Sequence, residues 1–412
     1  MRHRAAVLFA AGLVIVLPAG VTAQPAPTEA PAALDYAAQA LALEDLINAN
    51  YAYPERLPGG RFALTDALRT EAAAAASKRA LLRIAERALL LLADHHAITG
   101  SSFADSWAVV PSYADLWIEH DANGYTISAV RNGSPAERAG IRAGDILEAV
   151  SGAPTRDAVA AFWADLGADV TAERADFAAR VLAAGRRDRM RVLTVRRPGG
   201  GAREVTLPTL YSQAAEQPLV SVREEGDAKV ITFGNSLGEE ATIAAFDAAM
   251  AGARSGQPIV LDLTSTAGGG NTTVARAIMG WFTDYPTPYQ MHDVPAEERR
   301  TAIARRWIEL VMPRAGKHHA GPVTVRVGRW TGSMGEGLAI GMAELGACVT
   351  GSRMAGLRGA IYDLELGDTG VIVKLPVERL FTVDGTPREN FVPLVDCGLT
   401  VRDNPLADDR PE

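Results

Sequence analysis

The chain has 412 residues, 48% of them hydrophobic and 22% charged, with a formal net charge of -8. That length accommodates two or three globular domains, the composition is ordinary for folded protein, and the negative charge leaves no electrostatic footprint for nucleic acid. Lysine is scarce, occurring only at positions 78, 229, 317 and 374.

Residues 1–23 read as a targeting segment. Arg2 and Arg4 precede an apolar run from Ala5 to Leu17, which is short for a bilayer span. Val21-Thr22-Ala23 then supplies the small residues of a cleavage site. The pattern predicts a secretory signal peptide and a periplasmic or secreted product; an uncleaved anchor is the other reading. No further run predicts a stable membrane span. Export would put Cys348 and Cys397 where a disulfide can form, and the sequence leaves open whether they pair or stay as two buried thiols. Their number and spacing do not suit a metal site, and no motif calls for a cofactor.

A Pro/Ala-rich linker is followed by apolar residues spaced three and four apart from Ala33 to Asn50 and from Thr65 to Leu92, which predicts a helical N-terminal domain over residues 24–110. It runs into Asp94-His95-His96-Ala97. The two histidines could close the helix end, or one could serve as a general base. Residues 111–210 form a separate module. Gly124–Val130 reads as a strand, and the following SPAERAGIRAGDIL, Ser134 to Leu147, resembles PDZ domains, with Gly140 and Gly144 allowing tight turns. Such domains bind extended peptides by strand addition. The peptide-binding positions fall on Leu116, Trp117 and Ile118, in a loop that lacks the glycine expected for capturing a C-terminal carboxylate. Thr155 to Gly185 is longer and more helical than the usual PDZ connection.

Strands and helices alternate through residues 211–403, ahead of a tail at 404–412. Lys229–Phe233 and Pro258–Leu263 read as strands flanking a helix from Glu239 to Gly252. The second strand ends in Thr264-Ser265-Thr266-Ala267-Gly268-Gly269-Gly270-Asn271. Without a following Gly-Lys-Ser/Thr it is no P-loop, and without GxGxxG spacing it is no dinucleotide site. Its glycines either expose backbone N–H groups to a reacting centre or make a tight turn. A charged helix is predicted over 298–311, with His292, His318 and His319 at the surface. The strand Val323–Val327 leads to Thr331-Gly332-Ser333-Met334-Gly335-Glu336, which opens a helix. Ser333 and Glu336 fit a capping box. The same position would also hold a hydroxyl beside the free N–H groups and positive end of the helix. Two more strands are predicted at Gly370–Leu375 and Arg379–Thr382.

The PDZ module, the strand ending DLTSTAGGGN and the helix opening TGSMGE, in that order, resemble the C-terminal-processing and tricorn-type serine peptidases. The resemblance implies a multidomain α/β fold: a helical N-terminal cap, a PDZ-like β-rich domain and a crotonase-like α/β peptidase core. It implies Ser333 as nucleophile, with an oxyanion hole from the Met334 N–H and the Gly268-Gly269 turn. One branch activates its serine with a lysine. Here that position falls on Leu357 or Arg358, and arginine cannot act as a base, leaving only Lys374 from the next strand. The tricorn-like branch uses a histidine and a glutamate, which implies His96 as base, with His95 as rival, and Glu389 as the orienting acid. Thr264 and Thr266 stand where the family usually has Arg and Asn. The expected protein is an exported serine peptidase, free of cofactor and metal, that hydrolyses polypeptides through an acyl-enzyme while its PDZ domain recruits or gates substrate. A catalytically silent PDZ scaffold that binds peptides or other ligands is the alternative, and action on an ester or thioester a third reading.

Overall fold

The computed structural model describes residues 34–213, 217–395 and 397. The predicted signal segment and the 404–412 tail lie outside the described residues. The first helices are α1 (Tyr36–Leu41) and α2 (Leu43–Asn50). The Thr65–Leu92 stretch is then two helices, α3 (Asp66–Ala73) and α4 (Lys78–Leu90). It divides because Thr65 and Ser77 each cap a helix, accepting the Leu68 and Ala80 N–H groups. The short strand β1 (Ile98–Thr99) follows the histidine pair.

The middle of the chain forms a six-stranded antiparallel sheet from β2 (Leu116–Asp121), β3 (Gly124–Val130), β4 (Ile146–Val150), β5 (Ala153–Pro154), β6 (Arg191–Arg196) and β7 (Ala202–Leu207). Three helices are inserted: α5 (Pro135–Arg138), α6 (Thr155–Asp165) and α7 (Ala172–Ala184). β2 is an edge strand of this sheet.

The last part holds β8 (Val220–Glu225), β9 (Ala228–Phe233), α8 (Ala241–Ala251), β10 (Ile259–Asp262), α9 (Thr272–Met279), β11 (Thr287–Asp293), α10 (Pro295–Thr301), β12 (Arg306–Val311), β13 (Val323–Val327), α11 (Met334–Glu344), β14 (Cys348–Gly351), β15 (Ala360–Glu365) and β16 (Ile372–Phe381). One sheet, ordered β14-β13-β10-β9-β8, is parallel except for β8. Another runs β1-β16-β11-β12, with β15 on β16. β1 lies antiparallel to β16, with Ile98 opposite Lys374, so the residues just after the histidine pair are pinned to the last part of the chain.

Two expected elements differ. The charged helix over 298–311 ends at Thr301, and Trp307-Ile308-Glu309-Leu310-Val311 forms strand β12, as its alternating burial and β-branched or aromatic residues favour. The two strands expected between Gly370 and Thr382 are one continuous strand, β16. Cys348 and Cys397 are joined by a disulfide.

One apolar core runs from α1–α4 through the six-stranded sheet and takes in Ala267, Trp330, Leu357 and Val373. The PDZ-like sheet is therefore packed into the helical region. A second core lies around the parallel sheet, between α8, α9 and α11. The start of β2 is held by a buried, bidentate ion pair: Arg191 Nη1 and Nη2 lie 2.5 and 3.0 Å from the Asp115 carboxylate, which also accepts the Ala136 N–H. Removing one partner strands the other charge in the core. Asp115→Ala is expected to lower unfolding free energy by about 3–5 kcal/mol, measured by urea denaturation; a loss under ~1 kcal/mol, the scale of an exposed pair, would contradict this packing.

Candidate active site

Ser333 sits past the C-terminal end of β13, where parallel α/β sheets place their ligands. The loop between is fixed by its side chains. Thr331 Oγ1 donates to the Leu263 carbonyl at 2.8 Å and accepts the Gly328 N–H at 3.0 Å. The buried Trp330 donates its indole N–H to the Ala114 carbonyl at 2.7 Å. Gly332 donates to the Thr266 carbonyl, and a Cβ there would stand 2.8 Å from the Ala267 oxygen, so only glycine lets this loop meet the glycine-rich turn so closely.

Ser333 itself has φ 53° and ψ -116°, a left-handed conformation that costs a non-glycine residue energy and is concentrated at functional sites. Ser333 and Glu336 occupy the two capping-box positions, and the Glu336 carboxylate accepts the Ser333 N–H at 2.9 Å. The Ser333 hydroxyl lies 3.1 Å from His96 Nε2.

His96 is held at both ends. Its backbone N–H donates to Asp94 Oδ1 at 3.0 Å, and its Nδ1 lies 2.7 Å from the Arg358 carbonyl oxygen. A carbonyl only accepts, so Nδ1 carries the proton and Nε2 presents a lone pair to the serine hydroxyl. Burial holds the His96 pKa down at about 4, with the bond to the Arg358 carbonyl opposing that shift. The ring is thus neutral over the ordinary range of pH, and such a pair can draw the proton from Oγ.

The Arg358 carbonyl is in turn fixed from two sides. Glu336 accepts the Gly356 and Leu357 N–H groups at 2.8 and 3.2 Å, and buried Arg388 donates to the Leu357 and Gly359 carbonyls at 2.9 and 2.8 Å. Glu336 is fully buried, and burial raises its pKa to about 7 against the pull of Arg388 and its three N–H donors.

His95, the rival, faces away. It stacks on Phe177 with ring centroids 4.4 Å apart and lines a cavity of about 590 Å³ between α4, α6 and α7 that does not reach Ser333. Lys374 is paired with Asp363 at 2.6 Å. Glu389 follows Arg388, but its carboxylate makes no hydrogen bond with His96: Oε2 is buried without a partner, and its charge helps raise the pKa of nearby Tyr53, after burial. The His96 Nδ1 position belongs to the Arg358 carbonyl instead. In the glycine turn, the Gly268 N–H donates to Asn235 Oδ1 at 2.5 Å, whereas the Gly269 and Met334 N–H groups have no partner among the described residues. Asn235 therefore anchors the turn, and Thr264 is turned back onto Asp262.

Leu116, Trp117 and Ile118 are buried. The open edge of β2 is covered by α7: Asp176 Oδ1 accepts the His120 N–H at 2.7 Å, and Arg180 Nε donates to the Ile118 carbonyl at 2.9 Å. His292, expected at the surface, is buried between Glu378 at 2.8 Å and Glu309 at 3.2 Å, and is stacked on Trp307. Burial opposes its charge, but the two carboxylates outweigh burial and raise its pKa.

Glu336 ties pH to stability. Its folded pKa lies above its ordinary 4.5, so the stability gained from its proton is complete below about pH 4.5 and is lost as pH rises through about 7. The stability of wild type relative to Glu336→Gln is expected to fall across that window, read by thermal melting at several pH values. A constant difference would contradict the buried, shifted carboxyl.

The profile of peptidase family S41 matches residues 229–393, and that of the PDZ domain matches residues 126–161. No curated protein matches the chain in sequence. Among solved structures, the photosystem II D1 C-terminal processing protease is 16% identical with a TM-score of 0.51, covering 88% of this chain and 93% of that one. Mature CPAF is 17% identical with a TM-score of 0.55, covering 88% and 92%. CPAF complexed with lactacystin is 17% identical with a TM-score of 0.52, covering 88% and 93%. At these identities the likeness is one of fold. The two profiles and the shared fold support a serine-type peptidase that resembles family S41 over residues 229–393 and carries a PDZ domain.

Proposed function

We propose that the protein is an exported endopeptidase or peptidase in which Ser333 is the nucleophile and His96 the general base, acting on polypeptides. His96 Nε2 takes the hydroxyl proton as Oγ attacks the scissile carbonyl carbon. The tetrahedral oxyanion is received by the unpartnered N–H groups of Met334 and Gly269, at the positive end of α11. Gly268 shapes that turn through Asn235 rather than donating to substrate. His96 then gives its proton to the leaving amine, and the C–N bond breaks to leave an acyl-enzyme on Ser333. A water molecule, deprotonated in turn by His96, hydrolyses the ester and restores the serine. The orienting partner of the base is the Arg358 carbonyl, in the place where Glu389 was expected.

The observation that carries this reading is the chain of contacts from the Arg358 carbonyl through His96 Nδ1 and Nε2 to Ser333 Oγ, at 2.7 and 3.1 Å. It supports a neutral His96 whose Nε2 lone pair faces the serine hydroxyl. Export is supported by the N-terminal pattern of Arg2, Arg4, the Ala5–Leu17 run and Val21-Thr22-Ala23, and by the Cys348–Cys397 disulfide, which persists in oxidising compartments. No helix among the described residues is long and apolar enough to cross a membrane.

Labelling of the protein by a fluorophosphonate probe tests the pair. Wild type and His95→Ala are expected to label, whereas Ser333→Ala abolishes labelling and His96→Ala slows it by about 10³-fold or more. No labelling of folded wild type would favour the silent scaffold. The rate of labelling should also report the base. Because His96 must be neutral, the rate is expected to fall as pH drops through about 4. A half-maximum near the ordinary histidine value of 6.5 would contradict a buried, neutral His96.

A further inference from the structure

Helix α7, the part of the PDZ connection that is longer than usual, touches both the PDZ edge and the residues that hold His96. At the PDZ edge, Asp176 and Arg180 take the His120 N–H and the Ile118 carbonyl, the backbone groups an added peptide strand would use. The Arg180 guanidinium also lies over the Trp117 ring at 4.3 Å. The edge is filled from within.

At the first turn of the same helix, Glu173 Oε1 accepts from two arginines, Arg56 Nη2 at 2.6 Å and Arg358 Nη2 at 2.9 Å. These arginines lead to the two ends of His96. Arg358 offers its carbonyl to His96 Nδ1. Arg56 donates to the Ala93 carbonyl at 3.2 Å and to Tyr51 Oη at 2.5 Å, and lies 3.5 Å from Asp94, whose other oxygen accepts the His96 N–H. Glu173 thereby bridges the two segments that set the ring's position, and loss of either end of the bridge frees one of them. The Glu173 side chain is half exposed, at 50%, so neutralising it opens no cavity. Exposed ion pairs of this kind add little to folding. Any effect should therefore appear in the geometry of the base more than in stability.

We propose that Glu173 is a positioning residue for the Ser333–His96 pair, and that α7, by filling the PDZ edge, holds the base in register. This rests on His96 being the base. The pair is thus assembled with the PDZ edge closed by the chain's own helix, and no incoming peptide is needed to set it.

The test uses the full chain and the fluorophosphonate probe, with the maximal inactivation rate and the probe's half-saturation concentration measured separately. Glu173→Gln and Arg358→Gln are each expected to lower the maximal rate about tenfold, with half-saturation and Tm unchanged. The double variant is expected to be no slower than either single one, because both break one link. An unchanged maximal rate in Glu173→Gln, a change confined to half-saturation, or additive losses in the double variant would overturn the inference. His96→Ala distinguishes the two levels: if it labels at the wild-type rate, the base assignment itself fails. If it is slow while Glu173→Gln labels normally, only the role of Glu173 fails.

Discussion

A carbonyl oxygen aimed at a histidine nitrogen is the constraint on which the site depends. A serine hydroxyl is a weak nucleophile until a neighbouring group can take its proton, and an imidazole can do so only in one of its two neutral forms. The Arg358 carbonyl selects that form by accepting from Nδ1. Because a peptide oxygen bears no full charge, it orients the ring without making it strongly basic, and burial then keeps His96 neutral. The protein holds this oxygen still with two buried side chains, Glu336 on the N–H side of the 356–359 loop and Arg388 on the carbonyl side. Glu336 also grips the Ser333 N–H. One carboxylate therefore sets the spacing between the loop that orients the His96 ring and the residue that carries the hydroxyl.

The shared core explains why the remaining elements matter. The PDZ-like sheet reaches the serine loop through the Trp330–Ala114 bond and through Arg329, which lies 2.6 Å from Glu119 on β2. The N-terminal helices reach the histidine through Tyr51, Arg56 and Asp94. β1 locks the turn after His96 onto β16. The serine comes from one end of the parallel sheet and the histidine from the helical region, so the site exists only where three parts of the chain pack together.

Much of this was legible in the sequence where chemistry is written locally. The β-branched run before Thr331-Gly332-Ser333, the capping-box Glu336 and the glycine-rich turn each declare a strand, a turn and a helix start within a few residues. What could not be read was set by distant contacts. The capping-box pattern gives no sign that Glu336 reaches 20 and 21 residues onward to Gly356 and Leu357. Backbone groups carry no side-chain signature, so the Arg358 carbonyl could not be anticipated as the partner of Nδ1, and a glutamate was expected there. Asn235 lies 33 residues from the Gly268 N–H it accepts. The Arg and Glu around Trp307 to Val311 suggest a helix, whereas pairing with β11 makes it a strand. His292 looked like a surface residue until β11, β12 and β16 brought Glu309 and Glu378 to its two nitrogens. The covering of the β2 edge by α7 was foreshadowed only by the unusual length of the Thr155–Gly185 connection.

The central claim, that a backbone carbonyl fixes the histidine as a proton acceptor toward Ser333, is tested most directly by the tautomer of His96. Long-range ¹H–¹⁵N NMR on protein labelled at histidine, with the His96 signal assigned by its loss in His96→Ala, distinguishes a protonated from an unprotonated ring nitrogen. Near neutral pH the expected spectrum has Nδ1 protonated and Nε2 bare. A His96 signal with the proton on Nε2, or an imidazolium at that pH, would contradict the account, because neither form leaves a lone pair facing the serine.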